Sequence, residues 1–415
     1  MQLLYNNAIF YLIIIIFLFI IKAHTLAKMS IIIWLFSGIC TIIYTLNLLG
    51  GWTEFNFMPI LFFDICLLIY IYPLIKVNVS NINITSQTID NIERLMLILG
   101  LIAFLPFVEH SIYMVNTYSV ASNNIVDMYE NKMDGKANII TWLDPLAYFF
   151  YGIIGNFQYI MVFLLFILFC KKKSIKKWKL MLYGIAVLTP ILGSINTSGR
   201  GSLFFFLISL CILYSLLKNV IIIRIPKTMK IFFLGIIVAF ISSVILITIL
   251  RNEGADYDAW IWSSLYFGEG QINFFQDMWK IRTFTEGDNC FSYFKHILGF
   301  DTFVNYLDRR EFWNITKTGV DPVRFYTFIG DWFSDIGYFT IILVALLSMW
   351  IASIRRKNKW NILNLYAVYM YCYVICTGFT YFSLKTYYNT YHVVLGAIII
   401  FFATKIKFSL KNTTI

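Results

Sequence analysis

Residues 9–21 read IFYLIIIIFLFII, an apolar run without a single charge. A helix of this composition has no face suited to water. It does suit hydrocarbon, which takes roughly 20 such residues to cross. Comparable runs recur along the 415 residues, and 60% hydrophobic against 13% charged residues leaves too little charge to coat a soluble domain of this length. Mean hydropathy is +0.74. A β-barrel would instead show short segments of alternating polarity. The sequence therefore implies an all-α polytopic membrane protein. The first run lacks a basic leader and a small-residue cleavage site, so it is expected to be a retained span rather than a signal peptide.

About eleven spans are expected, at roughly 7–21, 29–49, 57–76, 94–113, 143–170, 179–197, 201–218, 231–250, 326–353, 361–382 and 389–405. Lysine and arginine set their orientation, because basic residues gather on the cytoplasmic side. KKKSIKKWK at 171–179, KNVIIIRIPKTMK at 218–230 and RRKNK at 355–359 all fall on one face with the C-terminal lysines. That face is read as cytoplasmic, which places the N-terminus outside. The net charge of +11 then belongs to membrane orientation and not to nucleic-acid binding.

This topology divides the chain into helices one to eight (1–250), one large extracytoplasmic loop (251–325) and helices nine to eleven (326–415). A loop of that length is functional or disordered, and its aromatic content argues for order. Ile261, Leu265, Gly268, Ile272, Phe275 and Trp279 recur at helical spacing. They predict an amphipathic helix lying on the membrane surface. Its aromatics read either as an interfacial belt or as a platform on which sugar rings stack, with Trp260, Trp262 and Tyr266 as the sugar-binding candidates.

The charges near span ends are more specific. Arg200 stands in NTSGRGSLFFFL (196–207), at a tight turn between two spans. Flanking glycines leave room for a ligand, and the next helix opens with free N–H groups, so the turn could hold an anion. It could equally be an arginine snorkelling at a hairpin tip. Arg251 follows a span and Arg324 precedes one. Guanidinium groups bind phosphate bidentately without losing their proton, so Arg200, Arg251 and Arg324 are the diphosphate-binding candidates. Glu253 and Glu269 are the acid/base candidates. Asp277, Asp331 and Asp335 are also available, the last two on one helix face by their i, i+4 spacing.

Seven cysteines suggest no disulfide framework, and neither cysteine nor histidine spacing suggests a metal site. Neither a metal nor a cofactor is expected.

The SGRGS hairpin, the arginine after the next span, the large outer loop and FIGDWFSDIGYFTII (328–342) together resemble the Wzy-type polymerases of bacterial O-antigen and capsule. The resemblance implies a GT-C-like architecture in the bacterial inner membrane, with the active site facing outside. It implies glycosyl transfer between undecaprenyl-diphosphate-linked oligosaccharide units, with a chain-length regulator as a further partner. A lipid-linked oligosaccharide flippase and an O-antigen ligase-like transferase are the alternatives. Flippases carry charge within several spans, whereas here Asp64 is the main charge inside one.

Overall fold

The computed structural model describes residues 1–47, 55–119, 144–196, 201–223, 259–302, 318–320, 324–357 and 360–406, with single positions at 235, 238 and 242. Among the described residues the chain is helical with no strand, apart from an isolated bridge between Thr327 and Tyr381. The helices are α1 (Gln2–Ile20), α2 (Thr25–Asn47), α3 (Phe57–Ile71), α4 (Ser86–Ser119), α5 (Asp144–Gly155), α6 (Gln158–Lys171), α7 (Lys177–Asn196) and α8 (Gly201–Leu217). They continue with α9 (Ala259–Gln276), α10 (Ser292–Ile297), α11 (Thr327–Ile336), α12 (Thr340–Lys357), α13 (Ile362–Thr377) and α14 (Tyr387–Lys405).

Among the described residues, six stretches are long and apolar enough to cross a membrane: Gln2–Ile20, Thr25–Asn47, Phe57–Lys76, Ser86–Met114, Thr327–Arg356 and Tyr387–Lys405. Pro145–Gly155 and Gln158–Lys171 form a bent pair that would make a seventh. This supports a multi-span membrane protein, with fewer qualifying spans than the eleven expected. Residues 231–250 lie almost wholly outside the described residues. Leu203–Leu217 and Ile362–Thr377 are apolar but short. The outward faces fit a bilayer: Ile13, Ile16, Phe17 and Ile20 of α1 are all exposed, a patch that water would not tolerate.

The chain divides into two compact units. One comprises Met1–Val79, Asn252–Lys359 and Ala367–Tyr391; the other comprises Ser80–Arg251, Trp360–Tyr366 and His392–Ile415.

In the first unit, α9 packs lengthwise on α2. At Gly268 an added Cβ would stand 2.5 Å from the Cys40 backbone, so a side chain there would hold the two helices apart. Polar groups lock the contact. Ser37 Oγ donates to the Phe267 carbonyl at 2.7 Å, Thr41 Oγ1 to the Gly268 carbonyl at 3.0 Å, and Gln271 Nε2 to Ser37 Oγ at 3.0 Å. The predicted apolar stripe on α9 is real, but its cover is protein. Phe275 meets Phe63 of α3, and Trp279 stacks on Phe333 of α11. The stripe expected to face the membrane surface thus packs against α2, α3 and α11.

In the second unit, α4 packs on α7 at Gly100, where a Cβ would stand 2.6 Å from the Leu182 carbonyl oxygen. At one end of this unit, Lys172 meets Glu93 at 2.8 Å and Asp90 at 3.1 Å, while Lys179 meets Glu93 at 2.6 Å.

Candidate functional site

Arg324 is the sequence-predicted cation that the described residues place. It lies three residues before α11, more than half exposed, on the rim of a polar cavity of about 410 Å³. Asp277, Lys280, Thr318, Gly319 and Tyr326 also line the cavity. The end of α9 and the turn that follows it supply Asp277 and Lys280. The Lys280 amide donates to the Asp277 carbonyl at 3.0 Å, which fixes the turn carrying both side chains. Asp277 Oδ2 lies 3.8 Å from an Arg324 terminal nitrogen. Such a long, solvated contact leaves the Arg324 guanidinium able to bind a second anion.

Glu269 stands about two turns back along α9. Asn273 donates to Glu269 Oε1 at 3.1 Å and to the Phe325 carbonyl at 3.0 Å. One amide therefore ties the predicted base to the peptide that follows the predicted cation, and the charges of Glu269 and Arg324 are within electrostatic reach of one another. Beside them, Tyr266 is exposed, with its ring 6.0 Å from Phe325, which stacks on Tyr381. The cavity lining carries two cations, and a carboxylate and an aromatic ring are linked to the same segment through Asn273 and Phe325. Those are the groups needed to hold an anionic, sugar-bearing ligand.

The other predicted residues fall elsewhere. Arg200, Arg251 and Glu253 lie outside the described residues, as do the side chains of Trp260 and Trp262. Sequence reasoning missed Lys280. Nothing in its spacing along the sequence links it to Arg324.

Asp331 and Asp335 share a face of α11, as their spacing requires, but that face is closed. Asp331 accepts the Phe382 amide at 2.6 Å and Asn289 Nδ2 at 3.2 Å, and pairs with Lys385 Nζ at 3.5 Å. Asp335 accepts Thr285 Oγ1, the Asn289 amide at 2.9 Å and the Cys290 amide at 2.7 Å. Both carboxylates clamp the segments 285–290 and 382–385 onto α11. They are saturated with donors, which suits a scaffold and not a base. Asp64, the charge inside α3, is also buried. It accepts the Tyr11 hydroxyl at 2.9 Å, and the Asn7 amide nitrogen, turned toward it, donates at 3.0 and 3.2 Å. The i, i+4 pair Asn7 and Tyr11 on α1 was the signal for this partner.

Among the described residues, no group of three His, Cys, Asp or Glu side chains could hold a metal ion. No protein-family model, curated protein or solved structure matches the chain.

Proposed function

We propose that the chain is a membrane glycosyltransferase of the polymerase type, acting on lipid-diphosphate-linked oligosaccharides. The observation that carries this reading is the open cavity where Lys280 and Arg324 stand together, with Glu269 tied to the same segment through Asn273. A diphosphate would bridge the two cations, displacing the solvated contact between Arg324 and Asp277. An acceptor sugar hydroxyl then attacks the anomeric carbon of the donor. A new C–O bond forms, the bond to the diphosphate breaks, and the leaving oxygen takes the electron pair. Arg324 and Lys280 stabilise that growing charge. Glu269 accepts the hydroxyl proton. Tyr266 offers a ring face to a sugar, as Trp260 and Trp262 do on the strength of sequence. Arg200 and Arg251 as anion binders, and Glu253 as an acid/base group, likewise rest on sequence.

The fitting experiment is a gel of surface polysaccharide from a deletion strain. Collapse to single-repeat glycan, with lipid-linked units accumulating on the outer leaflet, is expected. A normal ladder would refute the reading.

One observation favours a transporter instead. In the second unit, α5 and α6 are bent by 66° at Asn156 and Phe157, and His392 Nε2 sits 3.1 Å from Asn156 Oδ1. Broken helices with polar groups at the break mark substrate sites in transporters. Accumulation of lipid-linked units on the inner leaflet of the deletion strain would select this reading.

A further inference from the structure

The segment 294–300, FKHILGF, presents an apolar tip. Phe294 is 46% exposed, Ile297 60%, Leu298 70% and Phe300 62%. These values are high for four large side chains within seven residues, in a segment whose backbone is tightly ordered. Leu298, Gly299 and Phe300 donate their amides to Phe294, His296 and Lys295 carbonyls at 3.0, 3.1 and 3.0 Å. Lys295 pairs with Asp288 at 2.5 Å, which turns the nearby cation back toward its own unit. Gly299 has φ +77, a left-handed turn that closes the tip.

The position of the tip identifies what covers it. The ring of His296 lies 5.5 Å from Tyr387, and that of Tyr293 lies 5.1 Å from Tyr387 and 6.2 Å from Tyr391. Tyr387 is the first residue of α14, a 19-residue apolar span. At about 1.5 Å per residue such a helix just matches a hydrocarbon core of about 30 Å, so as a membrane span it brings its first residue near one edge of that core. On that placement the tip falls near headgroup depth, beside a tyrosine cluster of the kind that gathers at that boundary.

We propose that residues 294–300 insert into the lipid headgroup region, so that Phe294, Ile297, Leu298 and Phe300 anchor the 259–302 segment to the bilayer surface. This interaction surface is independent of the proposed reaction.

The test uses the full chain in nanodiscs of phosphatidylethanolamine and phosphatidylglycerol. A spin label is placed at Leu298→Cys in a Cys211→Ser background, since Cys211 is the exposed cysteine. Asp301→Cys serves as the solvent-side reference. Insertion predicts that oxygen relaxes the label at 298 several-fold more effectively than a water-soluble nickel chelate does, with the opposite order at 301. Equal chelate access at both sites overturns the proposal. So does an immobilised label closed to both reagents, which would mean that protein covers the tip. So does a label whose access changes on adding oligosaccharide alone. Ile297→Cys gives a second reading if the first variant is poorly produced.

Discussion

Arg324 and Asp277 face one another across 3.8 Å at the mouth of the polar cavity, with both side chains in contact with water. An ion pair of this kind contributes about 0–1 kcal/mol, so it restrains the guanidinium weakly. Replacing the carboxylate should therefore favour a bound anion. Asp277→Asn is expected to tighten binding of a lipid diphosphate by about two- to fivefold, measured by native mass spectrometry. Weaker binding would show that Asp277 itself contacts the ligand.

The two cations should behave differently. Arg324→Ala is expected to weaken diphosphate binding about tenfold or more, since hydrogen bonds to charged groups contribute about 1.5–3 kcal/mol. Arg324→Lys should recover part of that loss, because it keeps the charge but not the planar fork. If Arg324→Lys matches wild type, the site reads charge alone.

The buried pair of Asp331 and Lys385 makes a separate claim about stability. Their side chains are 2% and 8% exposed. Lys385→Met would leave Asp331 without its cation and should cost about 3–5 kcal/mol. Asp331→Asn combined with Lys385→Met should restore much of it. Thermal unfolding in detergent checks both variants. A double variant no better than the single would mean that Asp331 holds the Phe382 amide by its charge alone.

Helix contacts give a paired expectation. Gly268→Ala puts a methyl group 2.5 Å from the α2 backbone and should destabilise by about 1–3 kcal/mol. Gly152→Ala meets nothing within 4 Å and should stabilise by about 0.5–1 kcal/mol, as glycine is a poor helix former. Equal unfolding temperatures for the two would contradict the close packing of α9 on α2.

Lys172 supplies a pH dependence outside the spans. Its hydrogen bond with Glu93 holds the ammonium above the ordinary 10.5, against some desolvation. A raised pKa in the folded state means that this contribution is fully present below pH 10.5 and fades as pH rises through the folded value. The stability difference between wild type and Lys172→Met should hold from pH 7 to 9 and shrink above 10.5. A difference that persists at pH 12 would point to packing rather than charge.

Much of the fold was legible because apolar runs announce themselves. Residues 57–76 and 389–405 correspond closely to Phe57–Lys76 and Tyr387–Lys405. The breaks were not legible. Only Asn156 and Gln158 interrupt the apolar run there, too little to end an expected span, so the bend at Asn156 and Phe157 lies hidden within 143–170. The end of α13 at Thr377 is hidden in the same way, within the span expected at 361–382. Periodicity revealed the apolar face of α9 but could not say that α2 covers it. Spacing placed Asp331 and Asp335 together, but it could not reveal that 285–290 and 382–385 close over them. Arg324 was visible from its position at a span end. Lys280 acquires meaning only once the turn after α9 brings it to the same cavity.

The most direct measurement is affinity for undecaprenyl diphosphate against undecaprenol, on wild type and on the Lys280→Ala, Arg324→Ala double variant in nanodiscs. Wild type should prefer the diphosphate by at least tenfold, and the double variant should lose that preference while reaching the membrane in normal amount. Equal affinity of wild type for the two lipids, or an undiminished preference in the variant, would contradict a phosphate-holding cavity at Lys280 and Arg324.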